Sequence, residues 1–102
     1  MRIEWTEPAL RALQALHDYI ARDTPFYAAQ FVDRLTASAE KLQEFPDLER
    51  EVPEVGRPEI RELVFQGYRI IYRRLADRLQ ILVVVHGSRD LRRIRPLPWD
   101  VG

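Results

Sequence analysis

The sequence predicts an α+β fold of order β-α-α-β-β-β, with an antiparallel helical hairpin packed on a small, mainly antiparallel sheet. Two observations predict it. Residues 59–90 fall into three apolar runs separated by turns at Gln66-Gly67 and around Ala76-Asp77, as short strands joined by hairpins do. Residues 6–45 instead repeat apolar side chains at helical spacing, and Thr6 with Pro8 and Thr24 with Pro25 mark two helix starts. With 102 residues, the chain is expected to form one domain, 1–102, around one modest core.

Taken in order, Arg2 to Trp5 alternates polar and apolar and reads as a first short strand. Thr6 then caps a helix over about 8–22, whose buried stripe is Leu10, Leu13, Leu16 or His17, and Ile20. Asp23-Thr24-Pro25 stops it and starts a second helix over about 25–45, with Thr24 as cap. Ala28, Phe31, Val32, Leu35, Ala39 and Leu42 form its apolar face. So short a link makes the two helices antiparallel. Pro46 ends the hairpin, and 46–58, with Pro46, Pro53, Gly56 and Pro58, is a loop. Of the strands that follow, the last has a nearly all β-branched run, Ile81 to Val85, which predicts a buried central position. The tail from Leu91, interrupted by Pro96 and Pro98, makes a short turn at Leu91 to Ile94 and then extends.

Composition narrows the function classes. Without cysteine, the chain has no disulfide framework and no thiolate metal site. No apolar run approaches the roughly 20 residues that span a bilayer, and Met1-Arg2-Ile3-Glu4-Trp5 lacks a signal-peptide shape. The expected location is the cytosol. The net charge is zero, yet residues 1–56 hold 6 basic and 11 acidic side chains while 57–102 hold 10 and 5. The positive charge thus lies on the strands and tail. Fifteen of the 16 basic residues are arginine, a ratio that GC-rich coding accounts for; the segregation between halves is not so explained.

Strand alternation puts Tyr68, Ile70 and Tyr72 on one face and Arg69, Ile71 and Arg73 on the other. On the last strand it groups His86 with Leu82 and Val84, opposite Ile81, Val83 and Val85. His86 has two readings: a proton carrier near neutral pH, or a structural group that hydrogen-bonds a neighbouring carbonyl and closes the strand. His17 reads as structural or exposed, and two distant histidines make no metal site. Arg69, Arg73, Arg89, Arg92, Arg93 and Arg95 are candidate anion contacts, since a guanidinium fork bonds two oxygens at once. Singly each is expected to be a solvated charge; together they suggest a binding surface. Trp5, Tyr68, Tyr72 and Trp99 read as core or tail anchors.

In this order the residues resemble the RelE/ParE superfamily of bacterial toxins from type II toxin–antitoxin systems, over nearly the whole chain. The resemblance is carried by Trp5-Thr6 with Ala9-Leu10, Asp18-Tyr19-Ile20-Ala21, the run Ala28 to Leu35, Phe45-Pro46, Arg61-Glu62-Leu63-Val64, the run Gly67 to Arg73, and Val85-His86-Gly87-Ser88-Arg89-Asp90. It implies the same β-α-α-β-β-β fold and one of two activities. RelE-like members cut messenger RNA on the ribosome with basic residues on the second and third strands, a last-strand arginine and a tail acid–base group, often tyrosine. ParE-like members poison DNA gyrase without cutting.

Arg69 and Arg89 match the strand arginines of the nucleases, but Ile60 and Glu62 stand where lysines would, and no tyrosine follows Tyr72. Arginine stays protonated and is a poor acid–base group. A nuclease of this sequence would therefore have His86 as its remaining acid–base candidate, with Arg69, Arg73 and Arg89 beside it in the site. Zero net charge also disfavours work inside ribosomal RNA.

The texture of the chain is closer to ParE. That resemblance implies a gyrase inhibitor and plasmid-stabilisation factor with no catalytic residue, no cofactor and no metal. Its partner would be a cognate antitoxin, ParD-like with a ribbon-helix-helix start, in a hetero-oligomeric complex. Arg61, Arg69, Arg73, His86, Arg89, Arg92, Arg93 and Arg95 would be the partner-binding surface. A third reading is a non-toxic, partner-binding protein of the same fold.

Overall fold

A computed structural model describes residues 1–45 and 49–100. Among them run β1 (Arg2–Trp5), α1 (Glu7–Ala21), α2 (Pro25–Glu40), β2 (Arg50–Glu51), β3 (Ile60–Phe65), β4 (Tyr68–Arg74) and β5 (Arg78–His86). The sheet order is β1-β5-β4-β3-β2. β1 lies parallel to β5, and every other pairing is antiparallel. The predicted α+β architecture is therefore present, with β5 inside the sheet. β2 adds a strand where a loop was expected. Its two polar, exposed residues are too few to show a period.

Thr6 joins helix to sheet. Its hydroxyl accepts from the Ala9 amide (3.3 Å) and donates to the Ile81 carbonyl on β5 (2.7 Å). One side chain so caps α1 and pins it to the central strand. Ala9, Leu13 and Leu16 face inward, and Leu10, expected in that stripe, is 53% exposed. The cause is phase: Ala9 takes the inward position, and one residue on turns about 100° round the helix. On α2, Ala28, Phe31, Leu35 and Ala39 are buried. The helix stops at Glu40, five residues short of the expected end, and a 3-10 turn at Lys41–Gln43 carries Leu42 into the core. The expected stop at Pro46 lies outside the described residues. Thr24 stands at the N-cap of α2, as expected, but its side chain makes no capping bond to it. Its hydroxyl and amide both donate to the Ile20 carbonyl, closing α1 instead.

Both faces of the sheet are covered. Against the helices pack Ile70, Tyr72, Leu79, Ile81 and Val84. On the opposite face Ile60, Ile71, Leu82 and Val85 meet Val52 of the loop and Leu91 of the tail. The β3–β4 turn has positive φ at both Gln66 (44°) and Gly67 (86°), the geometry of a two-residue hairpin.

β4 and β5 do not keep strict alternation. Ile71 pairs with Val83 and Tyr72 with Ile81, so Leu82 is skipped in a β-bulge. Ile81 consequently shares the helix face with Val84 and His86, and Leu82 crosses to the other face. This corrects the grouping that strand alternation suggests.

Candidate functional site

Arg69, His86, Arg89 and Arg92 surround one end of the sheet, where β5 gives way to the 87–93 turn, while Arg61 and Arg73 lie toward the other end, so the candidates do not form one constellation. His86 pairs across the sheet with Tyr68, and Arg69 pairs with the preceding Val85. Adjacent positions in a ladder point to opposite faces. His86 lies on the helix side, edge-on to the Tyr68 ring at 5.5 Å. Arg69 lies on the far side.

His86 is exposed. Its Nδ1 accepts from the Ser88 amide (3.1 Å) and lies 2.7 Å from the Ser88 hydroxyl. Since a backbone amide only donates, the ring holds Nδ1 as an acceptor here. The contact closes the strand locally, but through the Ser88 amide and hydroxyl and not through the neighbouring carbonyl that the structural reading expects.

Arg69 is 6% exposed. Nε donates to Glu62 (2.7 Å), and the two terminal nitrogens fork onto both oxygens of Glu54 (2.8 and 2.7 Å). Nη1 also reaches the Arg89 carbonyl (3.4 Å), and Nη2 lies 2.5 Å from Glu62. Glu62 is fully buried and also accepts from Arg50 (2.6 Å). Arg50, Arg69, Glu54 and Glu62 thus form a neutral network of four charges. Hydrogen bonds from Arg69 hold the Glu54 carboxyl at about 2, and the Glu54 carboxylate in turn raises the Arg69 pKa. Glu62, which departs from the nuclease pattern at its position on β3, is the inner carboxylate of this network.

Sequence reading missed Glu54. Its signal is the interior strand arginine itself, because a buried guanidinium requires a carboxylate. The preceding loop supplies one that periodicity does not mark.

The remaining candidates are dispersed. Arg61 donates to the Glu49 carbonyl (2.6 Å), and Arg73 bonds the Trp99 carbonyl, tying the tail to β4. Asp90 caps the 3-10 turn Leu91–Arg93. Its carboxylate takes a fork from Arg92 (3.1 Å on each oxygen), and this bond lowers the Asp90 pKa. Arg93 reaches the same carboxylate at 4.0 Å, while Arg95 bonds the carbonyls of Arg92 and Ile94. Arg89 is exposed, and among the described residues no carboxylate pairs with it.

Two openings flank this end. A cleft of about 330 Å³ lies between α1 and β5, with Leu16, Tyr19, Tyr68, His86, Arg89 and Ile94 on its walls. A wider dish of about 510 Å³ on the other side is lined by Glu54, Arg69, Ser88, Arg89, Asp90 and Arg92. Arg89 borders both. Among the described residues, no three His, Cys, Asp or Glu side chains converge to hold a metal, and no helix is long and apolar enough to cross a membrane.

Comparison with known proteins adds relatives to this geometry. A sequence profile described as ParE toxin of type II toxin-antitoxin system, parDE, matches residues 3–91. The protein carrying the name toxin Y4kP in Sinorhizobium fredii is 38% identical over 95 residues, covering 87% of this chain and 91% of its own. Toxin RelE2 of Caulobacter vibrioides is 33% identical over 89 residues, covering 86% and 97%. A solved structure of the chromosomal ParDE TA system from P. aeruginosa superimposes with a TM-score of 0.75 over 86% of this chain and 97% of the other. At 22% identity it attests the fold.

Proposed function

The chain belongs to the ParE toxin family of type II toxin–antitoxin systems, and we propose that it inhibits DNA gyrase by contact and is neutralised by a cognate antitoxin. The observation that carries the reading is the separation of His86 from Arg69 by the sheet. Cutting RNA requires a proton carrier and a phosphate clamp around one 2′-hydroxyl, within hydrogen-bond reach. Here the proton carrier faces the helices. The arginine that would clamp phosphate is buried on the far side, its three nitrogens all facing acceptors. A contact inhibitor has no such requirement. The exposed Arg89 and the arginines of the following turn supply a contact surface, and action on gyrase places the protein in the cytoplasm.

A ParD-like antitoxin with a ribbon-helix-helix start is the partner that fits the family. The described relative in P. aeruginosa is itself a ParDE system. Production of this chain alone should arrest growth, and co-production of the adjacent small protein should restore it. The nuclease reading keeps one supporting observation: His86 and Arg89 share the 330 Å³ cleft.

The two readings separate on His86→Gln. Removing its proton carrier costs a nuclease about 10²–10⁴-fold in rate, but a contact inhibitor little. Toxicity is expected to survive the change, with filamentation, DNA-damage signalling and intact ribosome-bound messenger RNA. Codon-specific cuts on induction, abolished by His86→Gln, would overturn the gyrase reading.

A further inference from the structure

Three segments meet at the buried Arg69. β3 contributes Glu62, the loop after β2 contributes Glu54, and the tail contributes two main-chain groups. Arg69 Nη1 points to the Arg89 carbonyl (3.4 Å), and the Glu54 carboxylate accepts the Leu91 amide (3.3 Å). These are the polar contacts that fix the chain on both sides of Asp90. Each tail bond is long, but both involve an ionised partner, which strengthens it. The Arg89 amide also donates to the His86 carbonyl (3.0 Å), so the strand end sets the start of the turn. Leu91 itself is fully buried against Val52 and Ile71. The Arg89 backbone is therefore fixed on every side while its side chain stays in solvent.

We propose that Glu54 and Arg69 are positioning residues that hold the 89–91 backbone so that Arg89 is aimed at the target. This role differs from that of an anion contact, which the resemblance implies for Arg69 and which its burial and two carboxylate partners oppose. A side chain as long as arginine loses rotamer entropy when it binds. A backbone fixed beforehand lowers the ordering cost of that contact. Without Glu54, the Leu91 amide loses its acceptor and the Arg69 fork keeps Glu62 alone.

This inference rests on the gyrase reading, so its test has one arm that does not. In the full chain, Glu54→Ala is expected to speed amide hydrogen exchange at Leu91, while Arg89→Ala leaves that exchange as it is. Unchanged exchange at Leu91 in Glu54→Ala would overturn the proposal whatever the target. The second arm is inhibition of gyrase supercoiling by Glu54→Ala, Arg89→Ala and the double variant, each confirmed folded by circular dichroism at the assay temperature. Arg89→Ala is expected to weaken inhibition about tenfold or more. Glu54→Ala should weaken it by a similar factor, and the double variant should be no worse than Arg89→Ala, because the two act through one contact. A general loss of stability would give losses that multiply, which refutes positioning. Full potency of Glu54→Ala beside a weakened Arg89→Ala also refutes it. Inhibition absent even from the wild-type chain would instead remove the gyrase reading, and the exchange arm would still decide whether Glu54 holds the turn.

Discussion

Arg69 and Arg89 are the same residue type twenty positions apart, and their surroundings give them opposite tasks. Arg89 stands in solvent with no carboxylate beside it among the described residues. Arg89→Ala is expected to change folding stability by less than about 0.5 kcal/mol, as exposed substitutions do. Arg69→Ala leaves Glu62, fully buried, with Arg50 as its remaining cation and Glu54 without its forked partner. Loss of one member of a buried pair costs about 3–5 kcal/mol, so urea denaturation should separate the two variants clearly.

Gly87 offers a second single-residue test. A Cβ there would lie 2.8 Å from the Gly67 carbonyl oxygen, and that oxygen accepts the Gly87 amide at 2.7 Å. Both partners are backbone, so neither yields cheaply. Gly87→Ala should destabilise by about 1–3 kcal/mol through the broken bond and the unpaired carbonyl. A midpoint unchanged in denaturant would show that the turn can move.

At the scale of elements, what the sequence revealed depended on how each signal repeats. α1, α2 and the three long strands each extend a pattern over several residues, and each is present, α2 ending five residues before its expected stop. β2 has two residues and no room for a pattern. The bulge at Leu82 is invisible for a related reason: Ile81 to Val85 is apolar throughout, so no polar residue marks where alternation slips. Yet the bulge decides which face His86 occupies. The candidate site was legible as a list of arginines and a histidine, but its division across the sheet was not.

The joint between helix and sheet was half legible. Thr6 was expected as a cap, but its bond to Ile81 spans 75 residues and no local pattern reports it. Thr6→Ala removes both bonds and leaves the Ile81 carbonyl without its hydroxyl donor. The expected loss is about 1–2 kcal/mol. Thr6→Ser, which keeps the hydroxyl, should recover most of it in the same thermal melts. Equal losses for both variants would assign the effect to the methyl group's packing.

Across the whole molecule, folding brings the acidic and basic halves of the sequence together in ion pairs. Glu54 of the acidic half pairs with Arg69 of the basic half, Arg50 with Glu62, Glu4 with Arg78 and Arg2 with Asp77. The first two pairs form the buried network, so stability becomes pH-dependent through Glu54. The Glu54 carboxyl lies at about 2 in the folded chain, against an ordinary 4.5, chiefly because Arg69 bonds its charged form. A depressed carboxylate adds stability that is fully present above its unfolded value and lost as the pH falls through the folded one. The window therefore runs from about 4.5 down to about 2. The shift corresponds to about 3 kcal/mol. Glu62 faces the same guanidinium and is itself bonded by Arg50, Arg92 lies near enough to feel Glu54, and the half-buried Asp90 and Glu59 have lowered values too. The wild-type acid profile alone is therefore ambiguous. Glu54→Gln resolves it: at pH 7 the variant should be less stable by about 3 kcal/mol, and the gap should narrow steadily between pH 4.5 and 2 as the wild-type carboxyl protonates. Denaturant midpoints for both proteins at matched pH and salt measure that gap. A gap constant from pH 7 to 2 would mean that Glu54 contributes packing and not charge, and that other carboxylates govern acid unfolding.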